Sequence, residues 1–198
     1  MKKEIDDMAN SDKKKIFVAI NFDEPIKNEL VSCQNKIDYL FLENNPIKWT
    51  KKQNLHVTVF FIGYVYDTDL VDIFNGVEES AKKYKPFSLT FNQVDFMPKD
   101  SKKMIWVFGE KNETLESLRQ DIKKNILSTE REVERFTSHI TLARINQFQF
   151  RKINEEEIPN INDEILIDFN TEVESIDIME SELKKGGAEY TILKSIKL

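Results

Sequence analysis

The sequence predicts a single α+β unit of two lobes, with two largely antiparallel sheets flanked by helices around a central cleft. Apolar residues recur at helical spacing in some segments and form short extended runs in others, so helices and strands mix along the chain. Two extended runs share the pattern His-apolar-Thr-apolar and lie 83 residues apart, one in each half. No Gly/Ser-rich linker separates the halves, which favours one two-lobed unit.

The N-terminal segment is predicted to contain a polar extension, a strand and a helix. Residues 1–14 are mostly charged and polar, so we assign them to an extension and assign residues 15–198 to the domain. Residues 16–20 form an apolar run typical of a buried strand. A helix then opens at Asp23-Glu-Pro25, since acidic residues and proline suit a first turn. Its apolar stripe contains Ile26, Leu30, Cys33, Ile37 and Leu40, which makes Cys33 a buried structural thiol.

The remaining elements follow from the same patterns. Two more helices are predicted from the apolar stripes Leu70, Ile73, Phe74, Val77, Ala81, Tyr84 and Leu115, Leu118, Ile122, Ile126. Extended segments are predicted at residues 47–49, 54–62, 87–96, 104–108, 138–144, 165–169, 173–179 and 189–196. Loops are predicted at residues 98–103 and 128–138, a solvated charge run at 155–157, and a turn at Gly186-Gly187.

Composition limits the classes of function. Hydrophobic residues make up 40% of the 198 residues, enough for a substantial core. The net charge of −6 gives no overall attraction to nucleic acid, so any RNA contact is expected to be local. The single cysteine, Cys33, indicates a reducing compartment, and the apolar runs are too short for a membrane span or signal peptide. We predict a soluble cytoplasmic monomer.

The first histidine strand separates two kinds of side chain. Because alternate residues of a strand point to opposite faces, Leu55, Val57, Val59 and Phe61 are predicted to share a buried face. His56 and Thr58 share the other face, with Phe60 beside them. Phe60 is therefore a candidate for stacking on a base.

The second histidine strand repeats this arrangement. His139 and Thr141 share one face, and Ile140 and Leu142 point the opposite way. The same alternation places Arg144 opposite His139, so Arg144 reaches the histidine face only through a bulge or a strand end. These are the two histidines of the chain, and we expect the two strands to face each other across the cleft.

Two histidines and two threonines are sufficient for phosphodiester cleavage without a metal. A histidine pKa near 6.5 lets one imidazole accept a proton while the other donates one. Threonine hydroxyls can donate to non-bridging phosphate oxygens. A zinc site needs three or four ligands, and the chain has no Cys/His cluster, so we predict neither a metal nor another cofactor. The nucleophile elbow of serine hydrolases is also missing.

The two motifs resemble those of a known family. Residues 55–63 and 139–144 resemble the paired His-x-Thr-x motifs of the two-histidine (2H) phosphoesterases, and more narrowly those of RNA 2′,3′-cyclic phosphodiesterases, also called 2′-5′ RNA ligases. Supporting similarities occur at residues 15–20, Trp49, Pro86-Phe87, Ser181-Glu-Leu183, Gly186-Gly187 and Tyr190. The resemblance covers residues 15–198. Ser138 stands where many relatives have proline.

The resemblance implies a bilobal, pseudo-twofold fold and opening of a 2′,3′-cyclic phosphate to a 2′-phosphomonoester. His56 would donate a proton to the departing 3′ oxygen, and His139 would take a proton from water. Thr58 and Thr141 would hold the phosphate, with Arg144 adding positive charge. The expected substrates are RNA ends or nucleotides that carry a 2′,3′-cyclic phosphate.

Other functions remain open at this point. The same residues would suit a phosphodiesterase for 2′-5′-linked oligonucleotides or for ADP-ribose-type cyclic phosphates, and a reversible 2′-5′ RNA ligase activity would use the same groups. A nucleotide-binding module without activity is a further alternative, although binding alone does not need two proton carriers. Possible RNA-backbone contacts are Lys102, Lys103 and Arg135.

Overall fold

The computed structural model of the protein describes residues 13–41, 45–127 and 136–198. Its strands are β1 (Lys13–Asn21), β2 (Ile47–Trp49), β3 (His56–Tyr66), β4 (Phe87–Met97), β5 (Met104–Gly109), β6 (His139–Ile145), β7 (Phe169–Val173), β8 (Ser175–Lys184) and β9 (Gly187–Lys197). Its helices are α1 (Glu24–Leu40), α2 (Leu70–Ala81), α3 (Glu113–Ile126), α4 (Gln147–Phe150) and α5 (Ile161–Glu164). Single 3₁₀ turns lie at Lys52–Asn54, Asp67–Asp69 and Glu155–Glu157. This is the predicted α+β class.

The described strands form one antiparallel sheet made of two halves. Their order is β7-β4-β5-β6-β3-β1-β8-β9, and β2 pairs with the outer part of β6. The halves meet where β3 and β6 pair only at Val57 and Ile140. The two predicted sheets are therefore joined at one residue pair. The histidine strands lie side by side at this junction, which corrects the expectation that they face each other across the cleft.

Each half of the sheet combines segments that are distant in sequence. In one half, β1 from the N-terminal region pairs with both β3 and the C-terminal strand β8, and β8 pairs with β9. Strands β4 to β7 form the other half. One hydrophobic cluster extends under both halves and includes Val57 and Ile140. Helices α2 and α3 pack against each other, and Asn125 of α3 donates to the Ser80 hydroxyl of α2 at 2.9 Å. The junction is therefore supported by a shared core.

The start of α1 agrees with the predicted signal at Asp23, and α3 has a cap that the sequence pattern did not indicate. The Asp23 carboxylate accepts from the Ile26 amide at 3.2 Å at the start of α1, and the Asn112 side chain caps α3 in the same way. Helix α2 ends at Ala81, before Tyr84, whose hydroxyl instead donates to Asp121 at 3.1 Å. No helix within the described ranges combines the length and apolarity that a membrane crossing requires.

Two strand predictions need correction. Residues 165–168 alternate between buried and exposed side chains as a strand would, but pairing with β4 begins only at Phe169. Alternation reports burial, here of Ile165 and Ile167, and does not require a paired strand. At the other end, β1 begins at Lys13, so Lys13 and Lys14 of the predicted extension pair with β3. Residues 1–12 and Arg135 lie outside the described residues.

Candidate active site

The pairing between β3 and β6 places both histidines on one face of the sheet. Val57 and Ile140 pair directly and have no exposed surface, so both point into the core. Their chain neighbours must point to the opposite face. His56 and His139 therefore share that face. In a regular antiparallel pair this diagonal relation separates Cβ atoms by about 7–8 Å, which leaves room for one phosphate between the two rings.

Both imidazoles are held in the same way. Nδ1 of His56 lies 2.8 Å from the Asn54 carbonyl oxygen, and Nδ1 of His139 lies 2.7 Å from that of Thr137. A carbonyl oxygen can only accept, so Nδ1 carries the proton in each ring. Each Nε2 is then left for chemistry on the cleft face. The His56 Nε2 accepts from the Thr58 hydroxyl at 3.0 Å.

Aromatic rings enclose the two histidines. Trp106 of β5 stacks on His139 with a centroid separation of 3.6 Å and an angle of 16°. On the other side, the rings of Phe17 and Tyr190 lie 5.2 and 5.3 Å from the His56 ring. The Asn54 side chain donates to the Ala188 carbonyl at 2.8 Å and so connects the support of His56 to β9. These contacts limit the orientations available to each ring.

Burial sets the protonation of the pair in the free protein. It lowers the pKa of His56 below the ordinary value of 6.5, an effect strengthened by His139 and opposed by the hydrogen bond to Asn54. Burial also lowers the pKa of His139, against the hydrogen bond to Thr137. Both rings are therefore neutral near pH 7. A phosphate anion between them would favour protonation, because an opposite charge stabilises imidazolium.

A bulge in β3 changes which aromatic residue faces the cleft. Val18 pairs with Phe60 and Ala19 with Thr58, so Val59 is the additional residue and the alternation shifts there. Phe60 is consequently packed in the core with 7% of its surface exposed. Phe61 joins the histidine face, is 65% exposed, and lies 6.2 Å from the Phe17 ring. The prediction that Phe60 stacks on a base is therefore wrong, and Phe61 takes the exposed position.

Strand β6 contains a matching bulge. Ile105 pairs with Ala143 and Trp106 with Thr141, which makes Leu142 the additional residue. Leu142 and Ala143 are both buried, and Arg144 returns to the face of His139 and Thr141. The guanidinium Nη1 lies 3.8 Å from the Met104 sulfur. Arg144 in β6 thus occupies the position that Phe61 has in β3, and simple alternation misassigned both.

The structure brings together the predicted histidines, threonines and Arg144, and adds residues that the sequence pattern did not indicate. The sequence pattern assigns Phe17 and Trp106 only to strands and includes Tyr190 only in the resemblance. It places Phe61 on a buried face, which is wrong, because the ring is exposed. Three or more His, Cys, Asp or Glu side chains do not converge on a possible metal site within the described residues. Cys33 is buried on α1, and burial raises the pKa of its thiol to about 11, as expected for a structural cysteine.

Comparison with known proteins identifies the family. The family model of the 2′-5′ RNA ligase superfamily matches residues 24–184. The chain is 26% identical over 182 residues to an RNA 2′,3′-cyclic phosphodiesterase of Methanocaldococcus jannaschii. This alignment covers 91% of the present chain and 98% of the relative. The chain is 28% identical over 135 residues to the Bacillus subtilis protein of the same name, covering 65% and 69%. The chain belongs to the 2′-5′ RNA ligase superfamily.

Solved structures show the same fold. The crystal structure of E. coli LigT in apo form superposes with a TM-score of 0.73 at 19% sequence identity, and covers 95% of this chain and 99% of LigT. LigT has also been solved in complex with 3′-AMP. The two-lobed 2H phosphoesterase fold is thus confirmed.

Proposed function

We propose that the protein is an RNA 2′,3′-cyclic phosphodiesterase that opens the cyclic phosphate to a 2′-phosphomonoester. The observation that carries this proposal is the matched pair of imidazoles, each fixed through Nδ1 to a carbonyl and each left with Nε2 on one face. Several relatives bear this enzyme's name, and LigT binds a nucleotide. Both facts support a nucleotide or RNA-end substrate.

The proposed reaction transfers one proton at each side of phosphorus. Neutral His139 takes a proton from water at Nε2 as the water oxygen bonds to phosphorus. The bond between phosphorus and the 3′ oxygen breaks, and protonated His56 donates the Nε2 proton to that oxygen. The 2′ oxygen stays on phosphorus. At the end His139 is protonated and His56 neutral, and exchange with solvent restores the starting state.

The other side chains of the face stabilise charge. Thr58 and Thr141 lie two residues from the histidines on the same face, where their hydroxyls can donate to the non-bridging phosphate oxygens. The bulge that returns Arg144 to this face supports the proposal that its guanidinium contributes positive charge near the phosphate. The same groups would catalyse 2′-5′ ligation, with a 5′-hydroxyl attacking phosphorus in place of water and the 3′ oxygen leaving as before.

Alanine variants of the two histidines test the proposal. Each of His56→Ala and His139→Ala is expected to lower the turnover of a 2′,3′-cyclic nucleotide by on the order of 10² or more, because each removes one proton transfer. The double variant need not be much worse than either single variant, since coupled catalytic residues are not additive. The rate is expected to show a bell-shaped pH profile whose apparent pKa values belong to the coupled pair.

Cys33→Ala is the matched control, because Cys33 is buried on α1 and its thiol faces the core. This variant should keep near-normal turnover.

Circular dichroism and product binding establish that the histidine variants are folded. Phosphorus NMR identifies the product: a 3′-phosphate would reverse the roles of the two histidines. Near-normal turnover in either alanine variant would remove that histidine from the mechanism, and a wild-type protein that binds but never hydrolyses would be a binding module.

A further inference from the structure

A large groove continues from the histidine site along the cleft face of β1 and β3. It has a volume of about 1360 Å³ and is lined by Asn54 and Tyr190, which contact His56, and by Arg144 of β6. Its far end is lined by Lys13, where β1 begins, and Tyr66, where β3 ends. Pockets for small-molecule ligands occupy roughly 300–1,000 Å³. The groove therefore has room for more than one nucleotide.

Aromatic and basic side chains alternate along the floor of this groove. A second bulge in β3, with Ile62 as the additional residue between the pairs Phe17–Phe61 and Ile16–Gly63, shifts the alternation again. Tyr64 pairs with Lys15 and Tyr66 with Lys13, so all four lie on the face that carries Phe61 and the histidines. The two tyrosines are 64% and 48% exposed. They are two residues apart on one strand, a separation of about 7 Å. The Lys13 ammonium lies 4.7 Å from the centre of the Tyr66 ring. Exposed rings beside cations are how proteins bind single-stranded nucleic acid.

The groove is positively charged although the whole chain carries a net charge of −6. Six basic and three acidic residues line it. Lys14 lies 3.2 Å from Asp67 and 3.8 Å from Glu180, so these two acidic groups share one cation. The third, Glu182, has Lys184 at 3.4 Å. Among the described residues, the six basic and three acidic side chains give the lining a net charge of +3, with further cations at Lys13, Lys15, Lys48, Lys51 and Arg144.

We propose that this groove binds the single-stranded RNA that precedes the cyclic phosphate. Two bases stack on Tyr64 and Tyr66, and Lys13, Lys15 and Lys48 contact the backbone phosphates. The cyclic phosphate ends the RNA at its 3′ side, so the chain can leave the histidine site only in the 5′ direction, and the groove provides that path. The inference rests on the proposed function and extends it: the preferred substrate is an RNA strand, not a mononucleotide.

The test compares adenosine 2′,3′-cyclic phosphate with a single-stranded RNA hexamer that ends in a cyclic phosphate. The wild-type protein is expected to show a KM for the hexamer at least about tenfold lower, because each stacked base adds affinity. Tyr64→Ala combined with Tyr66→Ala should raise the hexamer KM by about tenfold or more, with mononucleotide turnover changed less than twofold. Tyr64→Phe with Tyr66→Phe should restore hexamer binding, since phenyl rings still stack.

Salt dependence tests the lysines separately. The logarithm of the hexamer binding constant falls linearly with the logarithm of the salt concentration. Lys13→Ala with Lys15→Ala should make the slope of this line less negative by about 0.7 for each lost phosphate contact. The matched controls are Tyr39→Ala and Lys85→Ala, whose side chains are exposed and lie outside the groove. Both should leave hexamer binding unchanged. Equal KM values for hexamer and mononucleotide in the wild type, or groove variants that bind the hexamer normally, would overturn the proposal.

Failure of the proposed function is distinguishable from failure of the groove. Fluorescence anisotropy with a labelled hexamer measures binding without turnover. A wild-type protein that hydrolyses neither substrate but binds the hexamer through Tyr64 and Tyr66 would disprove the catalytic proposal alone. A protein that hydrolyses the mononucleotide while the tyrosine variants leave hexamer affinity unaffected would disprove the groove alone.

Discussion

At the scale of single residues, the site depends on a repeated hydrogen bond. A backbone carbonyl two residues earlier in the chain holds Nδ1 of both His56 and His139. This contact selects the tautomer that presents Nε2 to the cleft. The acceptor is a main-chain carbonyl close to the histidine in sequence, so the same local strand geometry can orient the ring in each half. The surroundings then differ, with Trp106 against His139 and Phe17 and Tyr190 beside His56.

The neighbouring phenylalanines provide a prediction at this scale. Phe60→Ala should lower the free energy of unfolding by about 3–5 kcal/mol, because it leaves a cavity in the core. Phe61→Ala should change the free energy of unfolding by less than about 1 kcal/mol, since its ring is mostly exposed. Urea denaturation measures both. Similar losses in the two variants, or a larger loss at Phe61, would contradict the bulge at Val59.

At the scale of elements, the two bulges have the same effect in β3 and β6. Each adds one residue immediately after the threonine, at Val59 and at Leu142, and reverses the alternation beyond it. Without them, Phe61 and Arg144 would point into the core and the cleft would lose its exposed aromatic group and its guanidinium. The bulges therefore decide which side chains accompany each His-Thr pair.

The contact between the ends of β5 and β6 gives the second prediction. The Gly109 amide donates to the Ser138 carbonyl at 2.8 Å, and a Cβ at Gly109 would lie 2.8 Å from the Ser138 hydroxyl and 3.0 Å from the Phe91 ring. Gly109→Ala should therefore lower the free energy of unfolding by about 1–3 kcal/mol. It should also lower turnover, because it displaces the residue next to His139.

Gly186→Ala is the matched control, because within the described part of the chain its Cβ position has one neighbour, the flexible Lys51 ammonium at 3.6 Å. Combining Gly109→Ala with Ser138→Gly should recover part of the lost turnover by removing the clash. Thermal denaturation and initial rates measure both effects. Normal stability and normal turnover in Gly109→Ala would show that this strand end tolerates displacement.

At the scale of the whole molecule, burial of the two histidines links folding to pH. Both pKa values are lowered in the folded protein, mainly by burial, whereas the unfolded chain has the ordinary value near 6.5. Between the folded and unfolded pKa values the unfolded chain binds more protons. The contribution of the two histidines to the free energy of unfolding is therefore fully present above pH 6.5. It decreases as the pH falls below 6.5 and stops changing below the folded pKa values.

We accordingly expect the free energy of unfolding to decrease between pH 7 and pH 5, as measured by urea denaturation at several pH values. A double variant with His56→Gln and His139→Gln should show a flatter dependence in this window. Proton NMR of the imidazoles provides an independent check, with both pKa values below 6.5 in the free protein. Inorganic phosphate should raise them if it binds between the rings. An unchanged pH dependence in the double variant would disprove the linkage.

Much of the site could be predicted from local sequence. The His-apolar-Thr-apolar pattern identified four side chains correctly as members of one face, since alternation holds over the short stretch from histidine to threonine. The stripe that contains Cys33 and the cap at Asp23 were likewise local features, and both agree with the structure. Residues 165–168 show the limit, because their alternating burial came without strand pairing.

What only the tertiary structure decided depends on contacts between distant segments. A bulge exists where one strand has a residue more than its partner, so the positions of Phe61 and Arg144 could not be read from β3 or β6 alone. The pairing of β1 with β8 and the junction at Val57 and Ile140 join segments far apart in the chain. The sequence by itself therefore determined the chemistry of the two motifs. Their placement side by side, and the groove that continues from them, came from the order of strands in the sheet.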